Sequence, residues 1–144
     1  MRKPETGRSL AMSVFKDYAE AVRRSDGLIS QYETLENLKE LSSSQIARMK
    51  ELEQEIPEAV AKDKALKEKV VELLKLPGPA LSARHLQVLE LRYLNGMEWK
   101  EVICAIYGQR DDYEKNFISY QHRVILQHGK GLDIIGAALD QKPV

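Results

Sequence analysis

The chain has 144 residues, enough for one domain with a real core or for a small domain with a helical arm. Lys+Arg and Asp+Glu both number 22, so the formal net charge is zero and the broad basic excess of many nucleic-acid binders is missing, though local patches are not excluded. The single cysteine, Cys104, rules out an internal disulfide and leaves any metal site to His or carboxylates.

The N-terminal stretch MRKPETGRSLAMSVFKDY is basic, but no unbroken apolar run follows it, so no signal peptide is expected. Nowhere do 18 apolar residues run together, and neither a transmembrane helix nor a membrane partner is expected. Only Leu76-Pro77-Gly78-Pro79 and the polar run Gly108-Gln109-Arg110-Asp111-Asp112 strongly interrupt helical patterning. Sustained β-branched alternation is absent, so the expectation is an all-α protein.

Residues 1–76 read as a helical, coiled-coil-like arm. Leu10, Val14, Tyr18, Ala21 and Val22 recur on one face. Ser25-Asp26-Gly27 either breaks this helix or weakens it, since one glycine costs only about 1 kcal/mol against alanine. From Leu28 a heptad seam runs through Leu35, Ser42, Met49 and Ile56, with Leu38, Gln45, Leu52 and Ala59 at its second position. The serines 42–44 mark a weak spot, a turn or a polar layer that sets register. Pro57 is expected to end or kink this helix and open a second one reaching Leu76, with Val60, Leu66, Val70, Leu73 and Leu74 as its stripe. Such an arm suits self-association or contact with a partner protein.

Residues 77–80 read as a linker, and residues 81–144 as a three-helix domain. Ser82 caps a helix whose apolar residues are Leu86, Leu89, Leu91 and Leu94, and Asn95-Gly96 stops it. A short helix from Glu98 to Tyr107 turns Trp99, Val102, Ile103 and Ile106 inward. A last helix is expected from about Tyr113 to Leu139, loosening at Gly129 and Gly131. Three helices with a short first corner suit a helix-turn-helix bundle, in which the last helix presents one face to a DNA groove.

The segments LSARHLQVLELRYLNGMEWKEVICAIYG and YQHRVILQHGKGL carry a family pattern: a helix ending in Leu-x-Tyr, then x-Gly-x-x-Trp, then a later Val-x-x-x-His-Gly-x-x-Leu. The chain supplies it with Leu91, Tyr93, Gly96, Trp99, Val102, Ile106, Val124, His128, Gly129 and Leu132. In these residues it resembles the phage and prophage transcription regulators related to region 4 of the bacterial primary sigma factor, the ArpU- and RinA-like group. The resemblance covers residues 81 to 135. It implies a regulator in the cytoplasm of a bacterial host that binds double-stranded DNA; a near-neutral module would gain from docking on RNA polymerase or from forming a homodimer through the arm. Tyr93, Gly96, Trp99, Val102, Val124, His128 and Leu132 would be the structural core.

The chain departs from this pattern at GQRDDYEKNFIS, where the family has a short turn. Residues 81–132 hold seven Lys/Arg against six Asp/Glu, so the charges must segregate if the domain is to bind DNA. With Val124, His128, Leu132 and Ile135 buried, Gln121, Arg123 and Gln127 point outward and His122 lies near the edge. Glutamine can pair with adenine and arginine with guanine, while Lys115, Asn116, Ser119 and Tyr120 are candidates for phosphate or base edges, and Lys100 for a phosphate. A rival expectation keeps the fold but uses this surface to bind RNA polymerase or another regulator. An acidic or apolar outer face on residues 113–127 would favour that rival, and a positive face would favour DNA.

An enzyme is not expected. His122 and His128 are six apart with no metal-ligand spacing, and no phosphate-cradling glycine loop or catalytic triad is visible. Cys104 has no obvious activating partner, and no cofactor or metal is implied.

Overall fold

The structure, a computed structural model, describes residues 6–141, and every regular element among them is helical. Helix α1 spans Gly7–Glu36 and α2 spans Ser43–Lys75. A 3-10 turn at Gly78–Ala80 leads to α3 (Ala83–Leu89), which continues as a π-helical turn at Glu90–Leu94. Helix α4 (Trp99–Tyr107) and helix α5 (Phe117–Asp140) complete the fold. The protein is all-α, with a helical arm and a helical domain. None of its described helices is long and apolar enough to cross a membrane.

The chain divides into two compact units at points inside the long helices. One comprises residues 16–68; the other, among the described residues, joins 6–15 to 69–141. Residues 77–80, expected as a linker, therefore form a turn within the second unit.

Within residues 16–68 the two helices form an antiparallel hairpin. Leu28, Leu52 and Ala59 are buried at its core, with Tyr32, Leu35 and Ile56 packed against them. The Tyr32 hydroxyl donates to Glu53 at 3.1 Å, and Arg48 donates to Gln31 at 3.1 Å. These pairs hold the register from the solvent side.

Three arm expectations are corrected or resolved here. First, Ser25-Asp26-Gly27 lies inside α1 without interrupting it, because Leu28 downstream and Ala21 upstream are both buried and hold the helix across the weak residues. Second, the heptad seam does not run on through one helix: the chain leaves α1 after Glu36 and re-enters helix at Ser43. The serines mark a turn and a cap. Ser42 Oγ accepts from the Gln45 amide at 3.2 Å, and the Gln45 side chain accepts from the Ser42 amide at 2.8 Å, the reciprocal bonding of a capping box. Third, Pro57 neither ends α2 nor opens a new helix; it sits on the exposed side of a helix that runs through it. Leu52, Ile56 and Ala59 pack on the opposite helix around it, and that burial outweighs one missing backbone donor.

The second unit is built around α5. Val88, Val102, Ile103, Tyr107, Tyr120 and Val124 form its buried cluster. The first turns of α1 join the same unit. Phe15, 1% exposed, stacks on Tyr93 with ring centroids 4.3 Å apart. The amide of Gly7 donates to the Asp140 carboxylate at 3.0 Å, and Arg8 pairs with Asp133. Helices α1 and α5 cross closely enough that a Cβ at Gly136 would stand 2.7 Å from the Arg8 backbone nitrogen. Helix α5 runs through Gly129 and Gly131 without loosening, since Gly131 and Leu132 are buried.

Candidate nucleic-acid interface

The corner at residues 90–98 sets the angle between α3 and α4. The π-helical turn closes with the Asn95 amide donating to the Glu90 carbonyl at 2.9 Å, and the Met97 amide donates to Leu91 at 3.1 Å. Gly96 then takes φ +67°, a left-handed angle that a side chain would strain. The amide of Glu98 donates to the Glu101 side chain at 3.3 Å, satisfying one donor at the start of α4.

Arg92 locks the corner from outside. It donates to the Met97 carbonyl at 2.8 Å and lies 4.9 Å from the centre of the Trp99 ring. The Trp99 indole is half-buried and meets His128 edge-on at 4.7 Å. His128 Nε2 and the Tyr93 hydroxyl share a hydrogen bond at 2.5 Å. Burial, reinforced by the charges of Arg8 and Arg92, pushes the His128 pKa down to about 4, so the ring is neutral at pH 7. Val102 and Val124 are buried in the cluster against which Trp99 packs, and Leu132 is buried as well.

Residues 108–116, the departure from a short turn, are folded into successive turns held by one carboxylate. Asp112 accepts from the Asn116 amide group at 2.8 Å and from the Tyr120 hydroxyl at 2.5 Å. Those two bonds, the tyrosine's first, hold the Asp112 carboxyl below its usual range, and the bond to Asp112, with burial, raises the Tyr120 phenol. Tyr120 stacks on Tyr107 at 4.5 Å and on Tyr113 at 6.3 Å, while Tyr113 meets Phe117 edge-on at 5.7 Å. This aromatic column replaces a short turn. It also explains why α5 begins at Phe117 and not near Tyr113.

The expected contact residues separate into three groups. Lys100, Lys115, Ser119, His122 and Arg123 are exposed. Tyr120 is corrected: it is 4% exposed with its hydroxyl committed to Asp112, so it is a core residue and not a free contact. Asn116 is exposed but its amide is likewise spent on Asp112. Gln121 and Gln127 are half-buried instead of fully outward, and the Oε1 of Gln127 is buried with no partner. Both glutamines flank the stripe of Tyr120, Val124 and His128 on the helix surface, which turns them partly inward.

The structure also brings forward residues that patterning did not single out. Ile118, Ile125 and Leu126 are 68%, 51% and 66% exposed. Ile118, His122 and Ile125 follow i, i+4, i+7 spacing on the outer face, with Ser119, Arg123 and Leu126 in the next strip. The signal was present, since this strip is the complement of the buried Tyr120 and Val124. Arg84 and Arg110 join Arg123 beside the paired rings of Tyr107 and Tyr120.

No family model matches the chain, and no curated protein or solved structure matches it. The chemistry of the interface is therefore read from its own side chains. Among the described residues, ion pairs form at Arg8–Asp133, Arg48–Glu51 and Arg48–Glu55. Arg84, Lys100, Arg110, Lys115, Arg123 and Lys130 take part in none of them. The outer face of α5 is thus a mixture in which Arg123 and Lys130, in no ion pair among the described residues, interleave with the exposed Ile118, Ile125 and Leu126. Among the described residues no group of three or more His, Cys, Asp and Glu is placed to hold a metal ion.

Proposed function

We propose that this protein is a phage-type transcription regulator whose C-terminal helix-turn-helix binds double-stranded DNA in a bacterial cytoplasm. The observation that carries this reading is the exposed Ser119, His122 and Arg123 of α5, with Lys100 and Lys115 also exposed and none of these cations in an ion pair among the described residues. Arginine and histidine there reach base edges or phosphates, and the lysines add sequence-independent attraction. With a zero net charge the module binds weakly by itself, so occupancy at a promoter depends on RNA polymerase or on a second copy.

The test is protection of promoter-containing phage DNA at two salt concentrations, with and without RNA polymerase. Protection that Arg123→Ala weakens without altering the melting transition supports the reading. Absence of protection under all four conditions ends it.

A second reading has its own support in the exposed Ile118, Ile125 and Leu126. Aliphatic side chains in a DNA groove are matched only by thymine methyl groups, whereas an apolar protein surface would remove all three from water. In this reading the outer face of α5 docks on RNA polymerase or another regulator without reading bases. Ile118→Ser with Leu126→Ser separates the two: loss of polymerase capture with DNA protection intact favours docking, and the converse favours base reading.

A further inference from the structure

Resting on the DNA reading above, we infer that Arg84, Arg110 and Arg123 form a cradle for backbone phosphates of nucleic acid, assembled on the stacked rings of Tyr107 and Tyr120. The three come from separate parts of the chain: α3, the turn segment 108–116, and α5. Arg84 lies 5.4 Å and Arg110 5.2 Å from the Tyr107 centroid. Arg110 lies 5.7 Å and Arg123 5.5 Å from that of Tyr120. Arg84 and Arg123 each lie against one ring and Arg110 lies beside both, at cation–π distances that leave guanidinium N–H donors available to an anion.

Electrostatics argue for a ligand. Three like charges around one pair of rings repel one another, and none of them has a carboxylate within ion-pair distance among the described residues. Asp111 follows Arg110 in sequence, and Asp112 lies within its coulombic reach, but the Asp112 oxygens accept from Tyr120 and Asn116 and from none of the three arginines. Asp111 and Glu114, also in the turn segment, are exposed and pair with none of the three. An anion of fixed geometry, bonded by planar guanidinium forks, would relieve the repulsion.

The segment that departs from a short turn acquires a purpose here. The Arg110 amide donates to Tyr107 and its carbonyl accepts from Tyr113, each at 3.1 Å. With Asp112 tied to Tyr120, Arg110 is fixed between the two helices. A short turn would leave no residue at that place. Arg84 and Arg110 would position the protein on the duplex without carrying sequence information, and Arg123 is shared between the cradle and the α5 edge.

The test is the salt dependence of binding to a generic duplex by wild type, Arg84→Gln, Arg110→Gln and Arg123→Gln, with inorganic phosphate as a separate probe. Each Gln variant is expected to flatten the slope of log K against log salt by about 0.9. Arg110→Lys, which keeps the charge, should retain most of the slope and so controls for folding. If wild type binds and the slopes of Arg84→Gln and Arg110→Gln equal its own, the cradle is refuted while the DNA reading stands. If wild type binds no duplex, the DNA reading fails and the cradle with it. Thermal stabilisation by millimolar inorganic phosphate, lost in the Arg variants and unaccompanied by duplex binding, would reassign the site to a small anion and overturn the backbone assignment.

Discussion

Trp99 meets His128 at its edge and Arg92 over its face, while part of the indole remains in solvent. A fully buried tryptophan truncated to alanine costs about 3–5 kcal/mol; the half-exposed position reduces this, and Trp99→Ala is expected to cost about 2 kcal/mol in urea unfolding. An unchanged midpoint would show that the corner does not depend on the indole. His128 leads to a second expectation. Its folded pKa of about 4 lies below the ordinary histidine value, so between those limits the unfolded chain takes up more protons than the folded one. The stability this neutral ring contributes is complete above about pH 6.5 and is lost as pH falls through about 4. The loss should amount to about 1–2 kcal/mol once the exposed part of the ring is discounted for solvent screening. Denaturant midpoints measured from pH 7 to pH 4 should fall accordingly, and His128→Gln should remove that part of the slope.

At the scale of elements, two substitutions probe why helices run where they do. Pro57 is exposed inside α2 and lacks the donor that an interior position uses. Proline costs about 3 kcal/mol against alanine in a helix interior, so Pro57→Ala should stabilise the protein by about 1–3 kcal/mol, read as a higher melting temperature. Gly136→Ala should do the reverse. Its Cβ would press on Arg8 backbone atoms at 2.7 and 3.1 Å, and the forced separation of α1 from α5 should cost about 1–3 kcal/mol despite alanine's better helix propensity. These positions also show what was legible from residues alone. Ser82, Asn95-Gly96 and the Val102–Ile103 pair are local signals, and α3, α4 and the corner follow from them. The hairpin was less legible. A heptad pattern is satisfied equally by one long helix or by two that fold back, and only the Ser42–Gln45 cap decides between them. Tyr120 was misplaced although it stands one turn before Val124 on the same buried stripe, and Gln121 and Gln127 flank that stripe; the aromatic column before α5 is what no periodicity announces. The apolar face of α5 was legible as the complement of its buried stripe, whereas Arg84 and Arg110 come together only through tertiary folding.

For the whole molecule, the zero formal charge hides an uneven distribution. Glu51 and Glu55 of α2 are drawn into Arg48's ion pairs, whereas Arg84, Arg110 and Arg123 lie against aromatic rings with no such partner among the described residues. Net charge is therefore a poor guide to what one face attracts, and the salt dependence of binding is the sharper measure. The division into units has a consequence for α1. Its residues up to Phe15 cluster with the domain and those from Lys16 with the hairpin, although the helix itself is continuous from Gly7 to Glu36. Cooperative opening follows packing and not helix boundaries. Backbone amides along this one helix should thus fall into two classes in native-state hydrogen–deuterium exchange. Those of residues 11–15 should exchange with the protection of the domain, and those of residues 28–35 with the protection of the hairpin. A variant such as Gly136→Ala should accelerate the first class and leave the second unmoved; equal acceleration of both would mean that the helix transmits its own stability from end to end.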